Sequence, residues 1–262
     1  MGQTTLALSP SSAGDFKNCP QLFKFRTIDR LPEPVSGAAA RGSLVHSVLE
    51  RMFSEPAEER CPQRAEEILA ELWSEVRQDP SSRPDALEPE AEQPWLEEAR
   101  RLLGNYFRLE DPSTVDAKRL EWWVEYELSD IHLRGIIDRL DLRADGSWVL
   151  TDYKTGRIPP ESREMTAFFG LRFYALVCWR AFGVIPAEIR LVYLSNPAVL
   201  KINPHERMLV AFERQMRALG VAVRRAEQNG DWRPRPSPFC MRCSFHAHCP
   251  AWASAPAEQR DA

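Results

Sequence analysis

The stretch that most constrains the fold runs from Gly135 to Gly156, GIIDRLDLRADGSWVLTDYKTG. It reads as two β-strands joined by a tight turn. Ile136, Ile137, Leu140 and Leu142 supply the apolar residues of the first arm, and Trp148, Val149, Leu150 and Tyr153 those of the second. Set among them are Asp138, Asp152 and Lys154, charged groups that an ordinary core has no use for. Side chains two apart on a strand share a face, so Asp152 and Lys154 project together.

Whether Asp138 joins them depends on the turn. A three-residue loop, Ala144-Asp145-Gly146 with Gly146 left-handed, pairs Arg143 with Ser147 and brings Asp138 opposite Asp152. A two-residue loop would slip the register and send Asp138 to the other face. The three-residue loop is the expectation, because it makes a compact carboxylate pair beside a lysine. Paired carboxylates repel and raise each other's pKa. A hard divalent cation, magnesium or manganese, removes that conflict, and the lysine next to it can steady charge on a phosphate. On its own, D-x-K also fits an exposed hairpin with a surface ion pair. The rest of the chain decides between the two.

Before the hairpin, Ser-Pro-Ser-Ser at residues 9–12 is a helix-start signal, and the spacing predicts a helix around Asp15 to Phe25 carrying Cys19. Ser36 to Phe53 reads as a second helix with Val45, Val48, Leu49 and Met52 as its apolar stripe. His46 lies beside that stripe, one turn from Gly42 and from Glu50; taken alone, a histidine there is a core residue as readily as a ligand. Residues 57–110 are acidic and helical, with amphipathic segments near Ala65–Val76 and Pro94–Leu109 separated by the loop QDPSSRPDALEPE, and their charges read as solvated faces. They look like a helical insertion. Arg119 to Leu128 alternates as a strand, and a turn at Ser129-Asp130 leads into the hairpin, giving a three-stranded antiparallel meander. A helix from Arg163 to Phe182, a buried strand at Ile189–Leu194 and a long helix from Pro204 to Gln228 follow. This order favours a mixed α/β sheet with helices on its faces.

The tail, residues 231–252, carries Cys240, Cys243 and Cys249 in a C-x2-C-x5-C run. Three thiols so close, with no helix or strand around them, point to metal coordination. Cys19 is the best candidate for a fourth ligand; His246 and His248 are its rivals, and would make the site zinc instead of iron–sulfur. Cys178, in an apolar helical stretch, reads as core, and Cys61 fits neither pattern.

The 262 residues are 44% hydrophobic and 27% charged with a net charge of −4, which describes a globular chain without a broad nucleic-acid-coating surface. No apolar run approaches a membrane span. The opening MGQTTLALSPSS lacks a basic segment followed by an apolar core, so we expect no signal peptide and a cytoplasmic, reducing setting in which the cysteines bind metal.

Gly42-x-x-x-His46, Gly135-x-x-Asp138, Asp152-Tyr153-Lys154-Thr155-Gly156 and a following helix with Tyr174 resemble, in that order, the RecB-type branch of the PD-(D/E)XK nuclease superfamily. Cys19 with Cys240, Cys243 and Cys249 looks like the iron–sulfur staple in the nuclease domain of AddB, and the CRISPR-associated adaptation nucleases have a similar one. The opening SPSSAGDFKNCPQLFKFR is similar to the family's N-terminal segment. The resemblance implies one nuclease domain with a restriction-endonuclease-like fold, interrupted at residues 57–110 and closed by the cysteine tail onto Cys19. It implies that His46, Asp138, Asp152 and the Tyr153 carbonyl hold magnesium or manganese, that Lys154 positions or activates the attacking water, and that a [4Fe-4S] cluster, or zinc, sits on the four cysteines. Tyr174 corresponds to the tyrosine of the family's Q-x-x-x-Y motif, near the DNA backbone. The glutamine of that motif falls at Gly170, so its role is missing or moved, with Arg172 the nearest substitute.

The activity so implied is cation-dependent cleavage of DNA, as an exonuclease on single-stranded or end-containing DNA in repair or recombination. No G-x-x-x-x-G-K-[ST] is present, so any helicase motor comes from a separate partner. Two competing readings are a DNA-binding module with a degenerate site and a zinc-stabilised interaction domain.

Overall fold

The computed structural model describes residues 5–78 and 87–253. The chain divides into two compact units, one made of residues 35–124 and 135–209, the other of residues up to 34, 125–134 and from 210 onward.

The larger unit is built on the meander. Strand β2 (Ala117–Leu128) pairs with β3 (Ile131–Leu142), which turns back antiparallel into β4 (Trp148–Lys154). β4 then pairs in parallel with β5 (Glu188–Tyr193), and β5 antiparallel with β6 (Ala198–Ile202). With β1 (Leu6–Leu8), which pairs in parallel with the start of β3, these make a six-stranded mixed sheet. The β3–β4 turn follows the expected geometry: Gly146 has φ +79°, Gly146 N–H donates to the Arg143 carbonyl and Arg143 N–H to that of Ser147. The resulting register pairs Arg139 with Thr151 and Leu140 with Leu150; the paired ladder ends one step before Asp138 and Asp152, and its continuation is the register the three-residue loop implies.

Three helices cover one face of this sheet: α3 (Gly37–Phe53, capped by the Ser36 hydroxyl), α4 (Pro62–Gln78) and α5 (Pro89–Phe107). They share a core in which Val45, Val48, Leu49 and Met52 of α3 meet Ile68, Leu69, Leu102 and Tyr106, with Tyr153 and Val192 from the strands. Residues 57–110 are therefore two helices packed onto the His46 helix. Residues 79–86 of the loop between them lie outside the described residues. The long apolar segment before β5 is not one helix. It is a 3₁₀ turn at Glu161–Arg163, a short helix α6 (Glu164–Ala167) and α7 (Phe169–Phe182), which ends at left-handed Gly183. Cys178 is fully buried on α7, as its apolar neighbours require.

In the smaller unit, the expected helix around Asp15–Phe25 is broken. Helix α1 (Pro10–Asn18) stops at Cys19, whose backbone is extended (φ −157°, ψ 109°), and α2 (Pro20–Phe23) restarts with Pro20 before a π-helical turn at Lys24–Ile28. Proline pushes its predecessor out of the helical region, so Cys19 sits at a corner instead of on a helix. The long helix α8 (Glu206–Asn229) ends at left-handed Gly230, and Trp232 then stacks on Phe23 at 5.9 Å. Beyond it the tail forms 3₁₀ turns at Pro238–Arg242 and His246–His248 and a last short helix α9 (Pro250–Ala253), with Phe245 packed on Phe25 at 5.4 Å. Among the described residues no helix is long and apolar enough to cross a membrane.

Candidate active site

The four side chains singled out in the sequence gather at one end of the hairpin. α3 brings His46: its Nε2–H donates to the Tyr153 carbonyl at 3.1 Å, and its Nδ1 lies 3.4 Å from Asp138 Oδ2. Asp138 Oδ2 also accepts the Tyr153 backbone N–H at 2.8 Å. Lys154 Nζ lies 2.6 Å from Asp152 Oδ2. Gly42 explains its place one turn before His46. A Cβ there would stand 3.0 Å from Thr155 Oγ1, so glycine lets α3 lie close to the end of β4.

A fifth residue joins them. Glu121, on β2, offers a carboxylate oxygen that, with ligand atoms of His46 and Asp138, forms a set lying within 4.8 Å of one another. Its backbone is left-handed (φ 40°), a conformation uncommon for a glutamate within a strand and consistent with a bulge that re-aims the side chain. A signal for it was present: counting back from the two-residue turn Ser129-Asp130 reaches Glu121 as the position facing Asp138. An open pocket runs along this edge of α3, lined by Gly42, Ser43, His46, Glu50, Glu121 and Thr155.

Electrostatically the site is overfull of negative charge. Burial pushes the Asp138 carboxyl well above the usual range, and the Asp152 charge adds to it. Glu121 is raised by burial and by Glu50 and Asp152. Burial lowers the His46 pKa, favouring the neutral imidazole that binds metals. Burial opposes the charge on Lys154 too, but adjacent Asp152 outweighs it and raises the pKa. One imidazole and two carboxylates with ligand atoms within 4.8 Å of one another suit a hard divalent cation, which would relieve the repulsion that lifts the acids; Asp152 is not part of that close set and pairs with Lys154 instead.

Tyr174, on α7, is nearly buried. Its pKa is raised by burial and by the charges of Asp152 and Asp138, and its oxygen accepts from the Ile136 backbone. Arg172 donates to the Met165 carbonyl at 2.9 Å. Gly170 stands in the first turn of α7.

In the smaller unit, Cys19, Cys240, Cys243 and Cys249 line a common cavity of about 300 Å³ with Arg26, Arg235, Arg242 and His246. Burial raises the Cys249 pKa, and the other three thiols add to the rise, so the four sulfurs lie within electrostatic reach. Backbone N–H groups already point at two of them, Arg235 to Cys19 Sγ at 3.4 Å and Ser237 to Cys240 Sγ at 3.3 Å. His246 is stacked on Trp252 at 4.9 Å.

A family model for the PD-(D/E)XK nuclease superfamily matches residues 7–250, and the chain belongs to that superfamily. Among solved structures, the chain is similar to a "putative exonuclease" from Eubacterium rectale at 14% identity and a TM-score of 0.54, covering 95% of this chain and 93% of that one. It is also similar to SSO0001 at 14% identity and a TM-score of 0.45, covering 96% and 88%. The likeness to the Eubacterium rectale structure agrees with the mixed sheet described above. The comparison with curated proteins finds no match.

Proposed function

We propose that the protein is a divalent-cation-dependent DNA nuclease of the RecB-type branch, degrading single-stranded or end-containing DNA in repair or recombination. The observation that carries this reading is the meeting of His46, Glu121 and Asp138 ligand atoms beside the Asp152–Lys154 pair. The similarity to a chain described as an exonuclease supports the mode of attack.

In this reading His46, Glu121, Asp138, Asp152 and the Tyr153 carbonyl hold the cation. The chemistry supplied by bound magnesium or manganese is activation of water and relief of charge on the phosphodiester. Lys154, kept protonated by Asp152, acts as a cation: it orients the attacking water or donates to a phosphate oxygen, and it does not serve as the base. Tyr174, with its phenol held protonated and its oxygen occupied by Ile136, has its O–H to offer a DNA phosphate. Arg172 flanks it through the Met165 turn; with Gly170 in place of glutamine, positioning of DNA falls mainly to Tyr174. We assign a [4Fe-4S] cluster to the four cysteines. The converging thiols and the N–H groups aimed at sulfur fit it, whereas His246 is engaged with Trp252 and is the weaker ligand for a zinc site. Its role is to tie the Cys19 corner to the tail. A separate helicase would supply unwound DNA.

Incubation of the purified protein with end-labelled single-stranded, double-stranded and circular DNA, with manganese or with EDTA, tests the activity. Cation-dependent loss of the linear substrates supports the reading. Tight binding without cleavage under every condition favours the DNA-binding module instead.

A further inference from the structure

The far face of the hairpin carries a second set of charges. Arg139 follows Asp138 and so points to the opposite side of the sheet. Its side chain is 0% exposed, and a buried guanidinium persists only where its donors are matched. Nη2 donates to Asp141 Oδ2 and to Glu110 Oε1 at 3.0 Å each, Nε lies 2.7 Å from Asp141 Oδ1 as an ion-pair contact, and the guanidinium lies 4.3 Å from the Phe53 ring centroid. Arg190 closes the cluster from β5, meeting Glu110 and Asp141 at 2.8 Å each. Arg139 Nη1 donates to the Tyr153 hydroxyl at 2.5 Å.

Tyr153 is the hinge of this arrangement. Its phenol belongs to the charge cluster, while its backbone belongs to the cation site: the N–H donates to Asp138 and the carbonyl accepts from His46. The ring also packs edge-on against both His46 and Tyr106, at 5.9 Å each. Any shift of the phenol is passed to the peptide groups that align two ligands. We propose that the Arg139–Tyr153 hydrogen bond, backed by Glu110, Asp141 and Arg190, is a positioning device that sets the Tyr153 backbone and through it the cation affinity of the site. This inference rests on the nuclease reading above. It adds that residues on the opposite face of the sheet, which touch neither cation nor DNA, govern metal binding. Groups that orient ligands from outside typically matter by about 10–100-fold in metal affinity.

Two variants that each remove one hydroxyl separate positioning from general stability. Tyr153→Phe cuts the link to Arg139. Tyr106→Phe removes a neighbouring hydroxyl of the same cluster, which donates to Glu110 at 2.8 Å and accepts from Arg139 Nη1 at 3.5 Å, but keeps the Tyr153 hydroxyl and its shorter bond to Arg139. Manganese affinity is measured calorimetrically on the protein without DNA, and backbone amide exchange at position 153 is followed in EDTA. Tyr153→Phe is expected to weaken manganese binding by about tenfold and to speed exchange of that amide; Tyr106→Phe is expected to leave both near wild type. Equal manganese affinity in Tyr153→Phe and wild type overturns the positioning role while leaving the nuclease reading intact. So does an equal loss in both variants, which would mark the cluster as merely structural. A wild-type protein that neither binds manganese nor cuts DNA overturns the site reading itself, and this inference with it.

Discussion

Asp138→Asn is the perturbation in which the charge argument and the catalytic argument pull in opposite directions. Asparagine keeps an oxygen to accept the Tyr153 N–H and removes one charge from the acidic group. Two carboxylates within 4.8 Å repel by about 3.5 kcal/mol at an effective dielectric of about 20. The raised Asp138 pKa already relieves part of this in the wild type, so the stability recovered by Asp138→Asn falls below that figure. The sign follows from its raised pKa. Between the carboxyl's unfolded pKa and its higher folded value, the folded protein keeps a proton that the unfolded chain has lost. The group's contribution to stability is therefore present at low pH and lost as pH rises through that window. Asp138→Asn should accordingly gain more at pH 8 than at pH 5, measured by thermal unfolding in EDTA. With manganese added at a hundred times its Kd, wild type should gain about 2.7 kcal/mol and the variant little or none. Cleavage should be lost. A variant that melts below wild type in EDTA and is still stabilised by manganese to the wild-type extent would refute the reasoning.

Lys154→Ala should abolish cleavage and largely spare DNA binding, read by nuclease assay and fluorescence anisotropy on the same preparation; surviving cleavage removes Lys154 from its assigned role. Glu121→Gln should weaken manganese binding measured calorimetrically, whereas an unchanged affinity takes Glu121 out of the site. Cys249→Ser should lower iron and acid-labile sulfide together in the purified protein, and zinc in place of iron in the wild type would show the other metal. Gly220→Ala should destabilise by about 1–3 kcal/mol, because a Cβ there would stand 2.7 Å from Ile131 Cγ1 in a packed contact. Ile131→Val in the same chain should restore part of the loss in denaturant unfolding.

The hairpin was legible in the sequence because two local rules agreed: the left-handed glycine fixed the loop length, and the period of two then fixed the faces. The same count on the preceding turn would have reached Glu121. That residue hid among the glutamates of an ordinary-looking strand, and its left-handed backbone breaks the alternation that strand reading relies on. Arg139 and Glu110 were hidden for a different reason. A charged residue is read as solvated unless its partners are known, and these partners come from α5's end, β3 and β5, which only the folded chain assembles. Glu110 in particular closes an acidic segment in which pairs such as Arg100–Glu97 lie at the surface. Pro20 is visible in the sequence, and the residue-before-proline rule suffices to predict the corner at Cys19. β1 and β6 are short, and neither has a sequence pattern strong enough to stand without the sheet it joins.

The most direct measurement of the central claim is anomalous diffraction at the manganese edge from crystals soaked in manganese chloride. A peak is expected within coordination distance of His46, Glu121, Asp138 and Asp152, with the Lys154 ammonium beside it. Strong peaks elsewhere and none among these side chains would contradict it.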